Sequence, residues 1–214
     1  MTDDTVLIPG GRDVRATLDR AADAAPTADE AAAAAAADAC VVACPPHPQH
    51  RGHRGDQRLR AVSDALTDAG VDCLRFDYGE WDEGYGECAD ARNAAAWAAD
   101  RYESVGLFGF SFGGCVALLT AADDRTDPEV AAVSALAPTA RLAADLDCAA
   151  AVPEIRCPVQ VVYGARDDTA DWEPVVDAAR DAGADVTELA ADHFFVGQAD
   201  AVGDAVGSWL AHRV

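Results

Sequence analysis

The sequence predicts a three-layer α/β/α sandwich, in which helices cover both faces of a mostly parallel β-sheet. Short apolar runs alternate with stretches of helical periodicity along nearly the whole chain, as is typical of parallel sheets. Several of these runs end in polar side chains of the types that enzymes use in catalysis. No internal repeat or linker divides the 214 residues, so we expect a single domain spanning 1–214.

The N-terminal half begins with two short strands around a glycine turn and then alternates strands with helices. The segment 56–69 has apolar residues on one helical face and ends at a glycine, which indicates a helix. Seven consecutive alanines between Asp29 and Asp38 fit a helix or a low-complexity connector equally well. In chain order, strands are predicted at 6–9, 14–19, 40–44 and 71–76, and helices at 56–69 and 90–101.

One stretch, 104–119, organises the rest of the chain. An apolar run turns through Gly109-Phe110-Ser111-Phe112-Gly113 and continues as a helix of small residues, which is G-x-S-x-G in a strand–turn–helix context. A serine on so tight a turn has a strained backbone, and the residues two before and two after it need almost no side chain. Ser111 is therefore a candidate nucleophile; the alternative is an exposed serine in a glycine-rich turn.

The C-terminal half continues the alternation. Strands are predicted at 130–136, 159–163 and 186–189, with a helix before Gly183 and a closing helix striped by Val202 and Val206. The segment 137–156 has room for a helical turn or two but not for a lid domain.

Candidate partners for the serine follow two of the later strands. A serine hydroxyl needs a base, and His193 comes directly after the last strand. The base needs an orienting carboxylate, for which Asp167 and its neighbour Asp168 both stand after the preceding strand. Because active sites of parallel sheets gather at the carboxyl ends of the strands, we expect Ser111, His193 and one of these aspartates to meet at one sheet edge.

An oxyanion formed at Ser111 requires two hydrogen-bond donors. The backbone N–H of Phe112 is one candidate, and the loop after Cys44 should supply the other. Prolines in that loop have no N–H, which leaves His47, Gln49 and His50, of which we favour Gln49.

The remaining candidate residues line the mouth of the expected pocket. Metal-ligand types occur in the loop after Cys44, but without a helical H-x-x-x-H pair or acidic ligands at diagnostic spacing, so we expect no metal and no cofactor. The glycine-rich acidic loop 77–87 carries two aromatic residues that could contact substrate. The predicted pocket residues are His47, His50, Trp81 and Tyr85.

The charge of the chain limits its environment and partners. The formal net charge is −22, from 38 acidic and 16 basic residues, and every basic residue is arginine. Concentrated salt screens electrostatic self-repulsion of this size. The charge therefore favours a protein from a halophile's cytoplasm over an ordinary acidic protein with an arginine bias. The same charge disfavours nucleic acids and anionic membranes as partners. Seven cysteines without a C-x-x-C pair and no recognisable targeting segment fit a reduced, cytoplasmic protein.

These pieces together resemble the α/β-hydrolase superfamily, and within it the small lidless branch related to dienelactone hydrolases. The matching motifs are Pro46-His47-Pro48, Leu74-Arg75-Phe76-Asp77-Tyr78, Gly109-Phe110-Ser111-Phe112-Gly113-Gly114, Gly164-Ala165-Arg166-Asp167 and Asp192-His193-Phe194-Phe195. The resemblance implies the α/β-hydrolase fold without a lid domain, with Ser111 as nucleophile, Asp167 as acid and His193 as base. Relatives often carry two glycines after the proline–histidine loop, whereas here Arg51 precedes Gly52.

The expected function is that of a serine hydrolase cleaving an ester or thioester of a small acyl substrate through an acyl-enzyme. An acyltransferase on the same triad is one alternative, and a non-catalytic binding protein of the same fold is another. The expected partner is a small-molecule substrate, and the chain is expected to be a monomer or homodimer.

Overall fold

The structure, a computed structural model, describes residues 4–21, 37–126 and 129–214. Eight strands form one sheet: β1 (Asp4–Ile8), β2 (Val14–Asp19), β3 (Ala39–Cys44), β4 (Asp72–Asp77), β5 (Ser104–Phe110), β6 (Ala132–Leu136), β9 (Val159–Gly164) and β10 (Asp185–Leu189). Their order in the sheet is β1-β2-β4-β3-β5-β6-β9-β10. All neighbours from β4 to β10 are parallel, and β2 runs antiparallel to both β1 and β4.

Helices cover both faces of this sheet, as predicted. One face packs against α1 and the C-terminal helical segment, and the other against α2, α3, α4 and α5. Successive residues of β3 alternate between the two cores, because side chains of a strand point to opposite faces. The helices are α1 (Gln57–Asp68), α2 (Tyr85–Ala99), α3 (Phe112–Ala122), α4 (Cys148–Ala151), α5 (Glu173–Asp181), α6 (Ala199–Val202) and α7 (Ser208–Ala211), with a π-helical segment (Gly203–Gly207) joining the last two.

Between β6 and β9 the chain makes only a small excursion. It contains the two-stranded hairpin β7 (Arg141–Ala143) and β8 (Leu146–Asp147), then α4 and a 3₁₀ turn (Val152–Glu154). The hairpin was not predicted, but the expectation that this segment forms no lid domain is confirmed.

Helix α2 begins five residues before the predicted start at Asp90. Its N-cap is Gly84, which has a φ of 100°. The fully buried Glu87 accepts hydrogen bonds from the backbone N–H groups of Asp82 and Gly84, at 3.0 and 2.8 Å. These bonds satisfy donors that would otherwise be orphaned at the helix start and extend the helix into the acidic loop.

Most of the alanine tract, residues 31–36, lies outside the described residues, so both interpretations of it stay predictions. Within the described ranges, none of the helices is long and apolar enough to cross a lipid bilayer.

The buried cysteines predict a loss of stability at alkaline pH. Burial raises the pKa of Cys73 and Cys88 to about 12 and that of Cys157 to about 11. The folded protein therefore keeps these protons at a pH where the unfolded chain, with a thiol pKa of about 8.5, has lost them. This contribution to stability is complete below about pH 8.5 and is lost as the pH rises towards 11–12. Urea unfolding under reducing conditions at pH 8, 9 and 10 should show a free energy of unfolding that falls by about 1.4 kcal/mol per pH unit for each such thiol.

The variant Cys157→Ala removes the most accessible thiol and should make this slope shallower by about 1.4 kcal/mol per pH unit. A free energy of unfolding that is the same at pH 8 and pH 10 would contradict the expectation.

Candidate active site

Ser111 lies on the tight turn between β5 and α3. Its φ of 56° and ψ of −118° are strained for a residue with a Cβ atom. A Cβ added to Gly109 would lie 1.9 Å from the carbonyl oxygen of Gly113, and one added to Gly113 would lie 2.2 Å from that of Cys44. The backbone thus leaves no room for a side chain two residues before or two residues after Ser111.

His193 reaches Ser111 from the loop after β10. Its Nε2 lies 3.0 Å from Ser111 Oγ, and its Nδ1 lies 2.7 Å from Asp167 Oδ2. The His193 side chain is 6% exposed and the Asp167 side chain is fully buried. The structure therefore brings together, in one hydrogen-bonded chain, three groups that lie 26 and 82 positions apart in the sequence.

The structure distinguishes between the two candidate aspartates. Asp167 Oδ1 accepts hydrogen bonds from the backbone N–H groups of Thr169 and Ala170, at 2.9 and 3.1 Å, which leaves Oδ2 for His193. Asp168 is exposed, and its carboxylate lies 3.5 Å from the hydroxyl of Thr169. Asp167, and not Asp168, is positioned to orient the imidazole.

The expected donor Gln49 requires correction. Its side chain is exposed, it does not line the pocket at Ser111, and its backbone N–H donates to His47 Nδ1 at 3.2 Å. This local bond, within the turn Pro48–His50, uses the N–H that an oxyanion would need.

Phe112 and His47 are better placed as donors. The N–H of Phe112 is the first of α3, where backbone donors lack an intrahelical acceptor. The close approach of Gly113 to Cys44 and Pro45 brings the segment leading to His47 against the serine turn. His47 lines the pocket, and its backbone N–H has no acceptor within the described ranges.

A pocket of about 780 Å³ opens above Ser111. His47, His50 and Trp81 line it, as expected from the sequence. The ring of His47 stacks between those of His50 and Trp81, with centroids at 4.5 and 4.7 Å, and lies 4.9 Å from that of Phe112. Burial lowers the pKa of His47, and the charge of His50 lowers it further, which favours the neutral imidazole.

Tyr85 does not belong to this pocket, contrary to expectation. It is 44% exposed, its hydroxyl hydrogen-bonds to Asp145, and it lines a separate cleft beside α2 and α3. Its position at the start of α2 carries it away from Trp81.

Sequence reasoning missed three arginines that line the pocket: Arg51, Arg58 and Arg141. The guanidinium of Arg58 lies over the ring of Phe110 at 4.5 Å, and its Nη2 pairs with Asp56 at 2.6 Å. Arg58 was foreseeable, because a helix that follows a parallel strand begins at the edge where active sites form. Arg141 lies on the unpredicted hairpin and had no comparable signal.

The described part of the chain contains no group of three or more His, Cys, Asp or Glu side chains arranged to hold a metal ion. Cys44 is fully buried beneath the histidine-bearing loop.

Comparisons with known proteins bear on the fold. No protein-family model and no curated protein matches the chain. Solved structures do match. An α/β serine hydrolase homologue from Coxiella burnetii superposes with a TM-score of 0.79 at 22% identity, covering 98% of each chain. A lidless α/β serine hydrolase from Xanthomonas campestris gives a TM-score of 0.77 at 21% identity, covering 98% of this chain and 94% of that one.

The protein has the α/β-hydrolase fold. The dienelactone hydrolase from Anabaena variabilis also has a similar structure, with a TM-score of 0.73 at 22% identity and coverage of 99% and 97%. The predicted fold and its resemblance to lidless, dienelactone hydrolase-like proteins are thereby confirmed.

The strain at Ser111 gives a testable prediction about stability. A non-glycine residue in such a backbone region costs on the order of 1–3 kcal/mol, whereas glycine adopts it freely. We expect Ser111→Gly to have a free energy of unfolding about 1 kcal/mol above that of Ser111→Ala, measured by urea titration, since both variants lack the hydroxyl.

The matched control is Ser208, which is exposed at the start of α7 and has ordinary right-handed helical backbone angles, φ −63° and ψ −38°. There the order should reverse, and Ser208→Gly should be less stable than Ser208→Ala by up to about 1 kcal/mol. The same order at both positions would show that the Ser111 backbone is not strained.

Proposed function

We propose that this protein is a serine hydrolase that cleaves an ester or thioester of a small acyl group. The observation that carries the proposal is the continuous path from Ser111 Oγ through His193 to the buried carboxylate of Asp167, with contacts of 3.0 and 2.7 Å. A free serine hydroxyl is a poor nucleophile at neutral pH, and this arrangement supplies the base that it needs.

In the proposed reaction, Ser111 Oγ attacks the carbonyl carbon while His193 Nε2 takes the hydroxyl proton. Asp167 accepts the Nδ1–H of His193, holds the correct tautomer and stabilises the imidazolium that forms. The oxyanion is stabilised by the N–H groups of Phe112 and His47. The oxyanion then collapses, the bond to the leaving group breaks as His193 protonates the departing alcohol or thiol, and the acyl group stays on Ser111. Water, activated by the same imidazole, resolves the acyl-enzyme and restores Ser111.

The short segment between β6 and β9 supports the proposal of a small substrate. Only the hairpin, α4 and a 3₁₀ turn lie between β6 and β9, so no lid domain is available to cover a long acyl chain. Several solved structures with this fold are named as esterases, among them proteins from Butyrivibrio proteoclasticus, Rhodothermus marinus and Pyrococcus furiosus, which is consistent with the proposal. We propose that the reaction requires no metal or cofactor.

Labelling with a fluorophosphonate tests the proposal. We propose that the chain is adapted to concentrated salt, so the protein is labelled in about 2 M KCl, where the Debye length of a few ångströms screens its charge of −22. The expected result is one adduct per chain, mapped to Ser111 by mass spectrometry and absent in Ser111→Ala. Failure to label a protein that circular dichroism shows to be folded would refute the mechanism.

The acyl acceptor is tested separately. Hydrolysis of phenyl acetate is followed with and without added methanol, and the products are separated by chromatography. Acetate as the main product in both cases is expected of a hydrolase, whereas methyl acetate in excess of acetate would indicate an acyltransferase.

A further inference from the structure

The pocket at Ser111 differs in charge from the rest of the molecule. Its lining includes three arginines, Arg51, Arg58 and Arg141, and a single carboxylate, Asp56, which is already paired with Arg58. A second cleft, at the end of α3, shows the opposite pattern and contains Asp123, Asp124, Glu129, Glu154 and Arg156. In a chain with 38 acidic residues, the excess of arginine over carboxylate at one site requires an explanation.

Arg51 is the arginine of this pocket that no carboxylate neutralises. Arg58 pairs with Asp56, and Arg141 pairs with Asp147. Arg51 is exposed and makes no ion pair or side-chain hydrogen bond within the described ranges, although acidic residues outnumber arginines by more than two to one. Its full positive charge therefore faces the pocket.

The backbone holds Arg51 in a position that favours glycine. Its φ is 65° and its ψ is 22°, in the left-handed region, where a side chain costs free energy. The conformation is fixed on both sides, because the carbonyl oxygen of His47 accepts hydrogen bonds from the N–H groups of His50 and Gly52, both at 3.0 Å. A Cβ on Gly52 would lie 2.0 Å from the carbonyl oxygen of Pro46, so the turn cannot shift by one residue. The turn thus holds Arg51 at the pocket beside His47 and His50, and its side chain is a cation.

We propose that this pocket selects substrates that carry a carboxylate in addition to the scissile ester or thioester, and that Arg51 binds this carboxylate. The inference rests on the proposed function and specifies its substrate class. One uncompensated arginine matches the single charge of a carboxylate better than the charge of about −1.5 to −2 on a phosphate monoester. The planar guanidinium of Arg51 can bind both carboxylate oxygens of a substrate. The carboxylates of Asp56 and Asp147 are already paired with Arg58 and Arg141.

The test compares substrates that differ only in this charge. In the first pair, 4-acetoxybenzoate carries the carboxylate on the leaving group and 4-acetoxybenzamide is its neutral analogue. In the second pair, phenyl 4-carboxybenzoate carries it on the acyl group and phenyl 4-carbamoylbenzoate is neutral. We expect kcat/KM to be about tenfold or more higher for the anionic member of at least one pair, as a charge-assisted bidentate contact would give.

Variants then assign the preference. Arg51→Gly suits the left-handed backbone, so it should fold, and it should lower the anionic-to-neutral ratio of kcat/KM about tenfold. Arg51→Lys keeps the charge and should retain part of the ratio. Arg60→Gln is the matched control, because Arg60 is an exposed arginine of α1 that does not line this pocket, and it should leave the ratio unchanged.

Equal kcat/KM values within both pairs would overturn the inference about the carboxylate. In that case, turnover of the neutral esters would still support the proposed hydrolase function. A preference that Arg51→Gly leaves intact would also overturn the assignment to Arg51. If no ester is hydrolysed, the hydrolase proposal fails by itself, and calorimetry still tests the subsite. In that case 4-hydroxybenzoate should bind the wild-type protein more tightly than 4-hydroxybenzamide, and equal affinities would refute the subsite.

Discussion

Replacing Ser111 with alanine is expected to lower kcat for ester hydrolysis by about 10⁴- to 10⁶-fold. The variant keeps the Cβ atom, so the turn and its two glycines are undisturbed, but it removes the hydroxyl oxygen that lies 3.0 Å from His193 Nε2. The residual rate should come from the N–H donors and from substrate binding, neither of which requires the hydroxyl. Steady-state hydrolysis of phenyl acetate, with thermal unfolding of each variant as a check on the fold, measures the effect.

Ser208→Ala serves as the control, because this serine is exposed on α7 and does not line the pocket. It should leave kcat unchanged within about twofold, as is usual for surface substitutions. A Ser111→Ala variant that retains more than about 1% of wild-type kcat would contradict a nucleophilic role for Ser111.

The sequence predicted the eight main strands well because most of them are buried on both faces. Such strands appear as short continuous apolar runs, and β3 and β9 lie within one residue of the predicted bounds. The hairpin β7–β8 was missed because its residues are exposed or half-buried and produce no apolar run. The early start of α2 was missed because it depends on Glu87, one acidic residue of many in its loop.

The sequence predicted the site residues whose positions follow from the order of strands and helices. It missed those whose positions depend on local hydrogen bonds. Ser111 and His193 each follow a strand, so the parallel sheet alone brings them to one edge. Gln49 failed because the ring of His47 captures its N–H, an interaction that the residue types permit but the sequence does not specify. Tyr85 failed for a related reason, since it is the first residue of α2 and is not part of the loop that carries Trp81.

Arg51 illustrates a third kind of limit. The sequence showed an arginine at a position where relatives often have glycine. It did not show that the backbone there is left-handed, or that the carboxylate lining the pocket, Asp56, is already paired with Arg58. Both facts depend on the folded turn. The charge of a pocket depends on which ion pairs form, and composition alone does not determine it.

Replacing Asp167 with asparagine is expected to lower kcat by about 10⁴-fold, with little change in KM. Asp167 Oδ1 already accepts two backbone hydrogen bonds, so the asparagine oxygen should take that position and its amide nitrogen should face His193. An amide nitrogen donates a hydrogen bond, which would favour the tautomer of His193 that has its proton on Nε2. That tautomer cannot accept the proton of Ser111. The geometry would then be nearly unchanged while the chemistry is blocked.

The adjacent aspartate supplies a control that differs by one position in the chain. Asp168 is exposed and its carboxylate lies beside the Thr169 hydroxyl, so Asp168→Asn should change kcat by less than about twofold. Both substitutions remove one negative charge from the same loop, so any general electrostatic effect on the pocket should appear in both variants. The kcat ratio between them therefore isolates the contact of 2.7 Å between Asp167 and His193. If the two variants lose activity equally, the carboxylates act only through their charge, and Asp167 does not hold the base in its tautomer.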